Sequence, residues 1–192
     1  CIPIGNDSFF LKPLSLPAEA GAIMFISGDI YHEVLGDWVT RLAKALPDRQ
    51  ILYKLHPNQH HAHGTIRQEF ASFKNIQVID ATVSARAMLP QVAYVVLIQS
   101  TAALEALQTG RRVCILPLLQ YRAHKDLFQL KAVTITATLD DLVSAVTLPP
   151  DVGDPPSFFD PFDAETAGKL LRELLEPPPY RPRPGVELDH GQ

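Results

Sequence analysis

Apolar runs of strand length recur six times along this 192-residue chain. They are rich in Val and Ile, and most of them lack a strict alternation of apolar and polar positions. Strands that are buried on both faces have this pattern, which is typical of parallel sheets. The predicted strands cover residues 22–27, 50–55, 76–79, 93–98, 113–118 and 133–136.

Helical patterns separate these runs. In the clearest one, Trp38, Leu42 and Leu46 recur at helical spacing, and the pattern stops before Pro47. Shorter apolar stripes predict helices within residues 66–73, 85–89, 100–108, 127–130 and 139–146. Alternating strands and helices imply right-handed crossovers. We therefore expect an α/β fold with a doubly wound, mainly parallel, six-stranded Rossmann-like sheet.

Proline-rich segments flank the regular pattern. We expect residues 1–20 to be a linker or strap and residues 21–148 to form the Rossmann-like domain. Residues 149–176 predict a Pro-rich connection and a C-terminal helix that packs back, and residues 177–192 predict a flexible tail. Because the chain begins at Cys1 with no initiator Met, we expect it to be a piece of a longer protein.

Composition narrows the class of partner. The chain is 46% hydrophobic and 20% charged, so a sizeable core is expected. Its net charge of -4 argues against a nucleic-acid partner, although a small anionic ligand needs only a few donors. The two cysteines form no disulfide framework, which favours a reducing, cytoplasmic compartment. No apolar run approaches the ~18 residues of a membrane span.

Polar residues follow the predicted strands at their carboxyl ends, which is where open parallel sheets bind ligands. They are Ser27, Gly28 and Asp29 after the first strand, Lys54 and His56 at the end of the second, and Gln99, Ser100 and Thr101 after the fourth. We expect these residues to contribute to one binding site.

Ser100 and Thr101 open a helix directly after a buried strand. If Ser100 is the N-cap, the first amides of the helix point outward without partners, and an anion can bind them at the positive end of the helix dipole. Glu105 lies on the same helical face, one turn further along, where a carboxylate can accept bonds from ribose hydroxyls. The alternatives are a plain cap with nothing bound and a solvated Glu105.

His56 and Pro57 close the second strand. Because proline cannot continue the hydrogen-bond ladder, it turns the chain outward and holds His56 at the rim, where the imidazole can donate to a phosphate. Lys54, two residues earlier, lies on the same face of the strand. The alternative is a histidine that is bonded only to a loop carbonyl.

Three further histidines, His60, His61 and His63, raise the question of a metal site. Their spacing is not that of a helix-borne zinc site and no cysteine is nearby, so we expect them to be exposed and predict no metal ligands. The sequence also has no GxGxxG after the first strand, no Walker P-loop and no GxSxG elbow. A redox dinucleotide and a nucleophilic Ser100 are therefore disfavoured.

Two motifs in register resemble a known family. Tyr53-Lys-Leu-His-Pro57 is followed, about forty residues later, by Gln99-Ser-Thr-Ala-Ala-Leu-Glu-Ala-Leu-Gln-Thr-Gly-Arg-Arg-Val113. This arrangement resembles the C-terminal, donor-binding domain of a GT-B glycosyltransferase over roughly residues 21–176. The nearest group is the bacterial capsule and teichoic-acid enzymes, which include CDP-glycerol glycerophosphotransferases and polysialyltransferases.

The resemblance implies specific roles. His56 matches the histidine that contacts the donor's phosphates, Ser100 and Thr101 match the phosphate-binding Ser/Thr motif, and Glu105 matches the ribose-binding glutamate. The substrate implied is a CMP-, CDP- or UDP-activated sugar or polyol, with no cofactor. Many retaining relatives carry a glutamate where this chain has Leu97, which favours an inverting or phospho-transfer relative.

In the family, the acceptor site and usually the catalytic base belong to an N-terminal domain that this chain lacks. The resemblance thus implies part of a glycosyltransferase or glycerophosphotransferase that is inactive alone. It also allows peripheral association with the inner face of the membrane through the missing half. Within this chain, Asp29 is the candidate stand-in for the catalytic base.

Two other functions stay open from the sequence. One is half of an isomerase such as a nucleotide-sugar 2-epimerase, which would need several catalytic carboxylates and an arginine near the cleft. The other is a non-catalytic α/β interaction module in which the Ser100 corner is only a helix cap. That reading would survive if His56 and Ser100 pointed apart, because one phosphate cannot bridge a gap beyond about 10 Å with direct bonds of ~3 Å.

Overall fold

A six-stranded sheet forms the centre of the protein in the computed structural model, which describes residues 21–28, 32–118, 121–148 and Lys169. Every pairing is parallel, in the order β3-β2-β1-β4-β5-β6. The predicted α/β fold is therefore confirmed. The strands are β1 Ala22–Ile26, β2 Ile51–Lys54, β3 Ile76–Ile79, β4 Val92–Leu97, β5 Arg112–Ile115 and β6 Val133–Ile135.

Helices connect the strands. Within the described residues, three short 3₁₀ helices extend some of these connections, at Pro57–Ala62, Leu89–Gln91 and Tyr121–Leu127. The α-helices are α1 His32–Ala45, α2 His63–Glu69, α3 Ala85–Met88, α4 Ala102–Gln108 and α5 Leu139–Thr147. Among the described residues, no helix combines the length and apolar content that crossing a bilayer requires.

The sheet is covered on both faces, as a doubly wound fold requires. On one face, Ile23 and Phe25 of β1 share a core with buried residues of α1, α2 and α5. On the other face, Met24 packs in a second core with Ala103 and Leu107 of α4. Each central strand therefore buries alternate side chains in two separate cores, which explains why its sequence is almost continuously apolar.

Two predicted helices differ from the structure. α2 ends at Glu69, because Phe70 leaves helical geometry and a turn bond from the Phe73 amide to the Phe70 carbonyl (2.9 Å) folds the chain back. Leu127 and Leu130 do not open a helix; Leu127 ends a 3₁₀ helix and a turn follows. A three-residue spacing fits a 3₁₀ turn as well as an α-helix, so such a short stripe could not separate the two.

The described residues fall mainly within one of the predicted domains. The described residues within 21–148 belong to one compact unit. The predicted strap at 1–20 and tail at 177–192 lie outside the described residues. In the predicted connection and helix at 149–176, only Lys169 is described, as an exposed helical residue.

Gly110 turns the chain just after the end of α4. Its φ is 77°, in the left-handed region that side chains with a Cβ disfavour. This turn lets the Arg111 amide donate back to the Ala106 carbonyl at 2.8 Å, and β5 begins one residue later. The position of Gly110 thus sets where the chain re-enters the sheet.

We expect Gly110→Ala to lower the free energy of unfolding by about 1–2 kcal/mol, because alanine pays the cost of left-handed backbone. Urea denaturation measures this change. Gly64→Ala is the matched control: Gly64 lies exposed near the start of α2 with nothing within 4 Å of an added Cβ. There the same substitution should stabilise the protein by up to about 1 kcal/mol. Equal effects at both positions would contradict the argument.

Candidate functional site

One cavity of about 400 Å³ lies where β1, β2 and β4 end. β1 sits between β2 and β4, so the strand order reverses at this place and leaves a crevice at the carboxyl edge. Six of the predicted site residues line this cavity, namely Ser27, Lys54, His56, Ser100, Thr101 and Glu105. His56 and Ser100 therefore face one space, although they belong to connections after different strands.

The other predicted residues have different positions. The Gly28 carbonyl lies beside the cavity, where it accepts bonds from the Ser27 hydroxyl at 3.1 Å and the Gln59 side chain at 3.3 Å. Gln99 is half-buried between β4 and the lining residue Ser100. Asp29, the candidate base, lies outside the described residues. The binding roles given to Gly28 and Gln99 stay predictions.

The corner at Ser100 is built differently from the expected N-cap. α4 begins at Ala102 with Thr101 as its N-cap, so the assignment of Ser100 as the cap is wrong by one residue. Ser100 instead folds over the helix start: its hydroxyl accepts from the Ala102 amide at 3.2 Å, and its carbonyl accepts from the Ala103 amide at 3.0 Å.

This geometry changes what the corner can bind. Two amides that were expected to point outward already have acceptors from Ser100. Rotation of the Ser100 hydroxyl would free only the Ala102 amide for an anion, because the Ala103 amide is bonded to the Ser100 carbonyl. A helix of seven residues also contributes only a small dipole. The hydroxyls of Ser100 and Thr101 are therefore the main donors that this corner presents to the cavity.

His56 is held in one orientation by a helix cap. It is the N-cap of the 3₁₀ helix Pro57–Ala62; its Nδ1 accepts from the Asn58 amide at 3.2 Å, while the Gln59 side chain accepts from the His56 amide at 2.9 Å. The alternative of a histidine bonded to a loop carbonyl is not what this cap shows. Because Nδ1 is an acceptor, a neutral His56 carries its proton on Nε2, which is then the donating nitrogen.

Lys54 brings a positive charge beneath the cavity. Only 4% of the residue is exposed, and its ammonium group donates to the carbonyls of Leu55 and Ala81. Burial lowers the pKa of Lys54 below its ordinary value, while the nearby Asp80 carboxylate opposes that shift. A buried ammonium in a low-dielectric wall interacts strongly with any anion in the cavity.

Glu105 and Arg86 face the same cavity from two different helices. Burial raises the pKa of Glu105, and the positive charge of Arg86 works in the opposite direction. The sequence did not single out Arg86, because nothing in the four-residue helix α3 indicates that it packs beside α4. Gln59 does not line the cavity, but its side chain bonds the His56 amide and the Gly28 carbonyl beside it.

A larger groove of about 980 Å³ runs along the edge strand β3. It contains none of the predicted site residues, and it lies beside the strand rather than at the topological switch, so we place the ligand site in the smaller cavity. His63 at this groove bonds the Asp80 carboxylate at 3.2 Å, while His60 and His61 are exposed. Among the described residues, no group of three or more His, Cys, Asp or Glu is arranged around a metal site.

Comparison with known proteins identifies the family. The family model described as "Capsule polysaccharide biosynthesis protein" matches residues 24–124, which is more than half of the chain and includes every cavity-lining residue named above. The chain belongs to this family. A search of curated proteins finds no match.

Solved structures share the fold at low sequence identity. UDP-GlcNAc 2-epimerase from Methanocaldococcus jannaschii is 12% identical with a TM-score of 0.55, over 80% of this chain and 44% of that one. A mutant O-GlcNAc transferase from Thermobaculum terrenum is 16% identical with a TM-score of 0.52, over 85% and 32%. A mutant of S. aureus TarM is 13% identical with a TM-score of 0.51, over 71% and 30%.

The capsule-family chain thus has the fold of these proteins and spans less than half the length of each. The resemblance to the C-terminal domain of a GT-B fold is confirmed at the level of fold. The rest of each of these proteins lies outside the part that is similar to this chain.

Lys54 gives the stability of this domain a defined pH dependence. Because burial lowers its pKa in the folded protein below the ordinary 10.5, the unfolded chain binds more protons between the two pKa values. The free energy of unfolding therefore rises with pH through that window, up to 10.5.

Lys54→Met should lack this rise, because it keeps the stem and removes the titrating group. The measurement is urea denaturation of both proteins across the alkaline range. Tyr53 and Cys114, whose pKa values burial raises to about 12, titrate equally in both proteins, so the difference isolates Lys54. A difference in the free energy of unfolding between the two proteins that stays constant with pH would contradict the lowered pKa of Lys54.

Proposed function

We propose that this chain is the donor-binding domain of a bacterial surface-polysaccharide transferase, which grips the phosphates of a CMP-, CDP- or UDP-activated sugar or polyol. One observation carries the proposal: a cavity at the topological switch is lined by hydroxyl, imidazole and ammonium groups from the ends of β2 and β4. The family assignment and the shared fold support the class of reaction.

The phosphate end of the ligand would lie between the β2 and β4 connections. His56 donates from Nε2, Ser100 and Thr101 donate from their hydroxyls, and the Lys54 charge lies below. These groups offset the negative charge that develops on the nucleotide phosphates when the donor bond breaks. Glu105, one turn along α4, lies where ribose hydroxyls can donate to its carboxylate.

Completion of the reaction requires groups outside this chain. The cavity provides leaving-group stabilisation, while the acceptor site and the catalytic base would come from an N-terminal domain of the whole protein. Leu97 is fully buried at the end of β4, so the carboxylate that many retaining relatives have at this position is replaced by a core residue. We therefore favour an inverting or phospho-transfer reaction, with a cytoplasmic site, no cofactor, and little activity from this chain alone.

The structures of two structural neighbours in complex with nucleotides support a nucleotide ligand. The M. jannaschii epimerase structure contains UDP-GlcNAc and UDP, and the S. aureus TarM mutant structure contains UDP. At 12% and 13% identity this is an analogy between folds, so the ligand has to be tested on this chain itself.

Nucleotide binding should stabilise the folded domain. A ligand at 100 times its Kd contributes about 2.7 kcal/mol, which raises the Tm of a domain of this size by roughly 5–10 °C. The measurement is a thermal shift with UDP, CDP and CMP, followed by calorimetric titration of the best nucleotide. No shift with any of the three at millimolar concentration would contradict the proposal.

Two substitutions should weaken that binding. His56→Asn keeps a side-chain acceptor for the helix cap but removes the Nε2 donor, and Ser100→Ala removes a hydroxyl. Each should raise the nucleotide Kd about tenfold or more, as expected for a bond to a charged group. The matched controls are His61→Asn and Ser144→Ala, at exposed positions away from the cavity, and neither should change the Kd. Equal losses in the controls would count against these assignments.

An isomerase is the second candidate, because a 2-epimerase is among the structural neighbours. Both functions need the nucleotide site, so nucleotide binding alone does not separate them. The whole protein should be incubated with UDP-N-acetylhexosamine without an acceptor. Formation of the 2-epimer would decide for the isomerase, whereas a purely non-catalytic module would bind none of the three nucleotides.

A further inference from the structure

A chain of hydrogen bonds runs from the protein surface to the cavity wall. His32, the first residue of α1, bonds the Glu69 carboxylate through Nε2 at 3.0 Å and the Tyr53 hydroxyl through Nδ1 at 2.8 Å. Tyr53 donates to the Ser27 hydroxyl at 3.2 Å. Ser27 in turn donates to the Gly28 carbonyl at 3.1 Å. The side chains come from four separate elements. Glu69 belongs to α2, His32 to α1 and Tyr53 to β2, and Ser27 directly follows β1.

The chain is exposed at one end and buried at the other. The Glu69 side chain is 50% exposed and the His32 side chain 22%, whereas Tyr53 is fully buried. Aromatic edges hold Tyr53 in place, with ring centroids 5.1 Å from Phe70 and 5.6 Å from His32. Ser27 completes the path at the cavity.

The hydrogen bonds of this chain fit the chemistry of its members. Burial raises the pKa of Tyr53 to about 12, so the phenol keeps its proton and can donate toward Ser27. His32 Nε2 faces the Glu69 carboxylate, which only accepts, so this nitrogen is a donor. The Tyr53 hydroxyl bonds the other ring nitrogen, so both nitrogens of His32 have a partner.

We propose that Glu69, His32 and Tyr53 are positioning residues for the nucleotide-binding cavity, which fix the Ser27 hydroxyl and the following Gly28 peptide where the donor's phosphates bind. The inference rests on the proposed function and extends it to residues that do not touch the ligand. The Ser27 hydroxyl donates its proton to the Gly28 carbonyl and accepts from Tyr53, so it orients the Gly28 peptide instead of donating to the ligand. The Gln59 amide, which belongs to the His56-capped helix, anchors the same Gly28 carbonyl at 3.3 Å.

This arrangement differs from ordinary core packing in one consequence. A surface carboxylate, Glu69, is connected to the cavity through three successive hydrogen bonds and not through apolar contacts. A change at Glu69 should therefore alter nucleotide affinity without a contact to the nucleotide, and it should do so only while Tyr53 carries its hydroxyl.

A double-mutant cycle tests this dependence by titration with UDP and CDP. Tyr53→Phe keeps the ring packing and removes the hydroxyl, and Glu69→Gln keeps a surface side chain of equal size and removes the charge. Each should weaken nucleotide binding by about fivefold, the scale of one net hydrogen bond. The double variant should be no weaker than Tyr53→Phe alone. Asp37→Asn, which removes an exposed carboxylate paired with Arg41 on α1, is the matched control and should leave the Kd unchanged.

A spectroscopic measurement separates positioning from general destabilisation. The ¹⁵N signals of His32 should show a proton on Nε2, the nitrogen that faces Glu69, and Glu69→Gln should shift the Nε2 signal while the Kd rises. Additive losses in the cycle would overturn the inference. If Tyr53→Phe proved too unstable to measure, an unchanged Kd in Glu69→Gln would still overturn it. If the wild type bound nucleotide and the Glu69 and Tyr53 variants bound it equally well, the positioning role would be wrong while the proposed function would stand. A wild type that bound no nucleotide would overturn the proposed function itself, and this inference with it.

Discussion

The parallel pairing of β1 with both β2 and β4 is the constraint on which the site depends. Every strand of the sheet runs the same way, so all carboxyl ends meet one edge, and the bond from the Ser27 amide to the Lys54 carbonyl at 2.9 Å carries the pairing up to that edge. Because the chain order reverses beside β1, the connections after β1 and β4 diverge there. The resulting crevice collects polar residues that lie far apart in the sequence.

The cavity is prepared by polar groups that are satisfied within the protein. The Lys54 ammonium rests on two backbone carbonyls, His56 caps a 3₁₀ helix, and Ser100 bonds the first amides of α4. A buried polar group without such partners would lower the free energy of unfolding. The same bonds hold the donors in fixed orientations, so the site needs little reorganisation when charge develops on a ligand.

Family and fold limit the function without deciding it. The chain belongs to the capsule polysaccharide biosynthesis family, yet its fold is shared by transferases and by epimerases at 12–16% identity. A common fold supports many chemistries, so the residues of the cavity must carry the distinction. Here the described lining residues include hydroxyl, imidazole and ammonium groups and one carboxylate, that of Glu105. They do not supply the several catalytic carboxylates that an epimerase would need, at least among the described lining residues.

The sequence by itself determined the six strands, their parallel sheet and the polar residues that follow β1, β2 and β4, because burial on two faces and chain breaks are local patterns. It could not determine contacts between elements. The N-cap of α4 differed by one residue because Ser100 lies in a turn before the helix, where its hydroxyl accepts from the Ala102 amide and its carbonyl from the Ala103 amide. The charge of Arg86 acts on Glu105, and Glu69 bonds His32, 37 residues away in the sequence. Both interactions depend on how the helices are rotated on the sheet. Only the tertiary structure decides that rotation, since it is set by packing against two separate cores rather than by the period of any one helix.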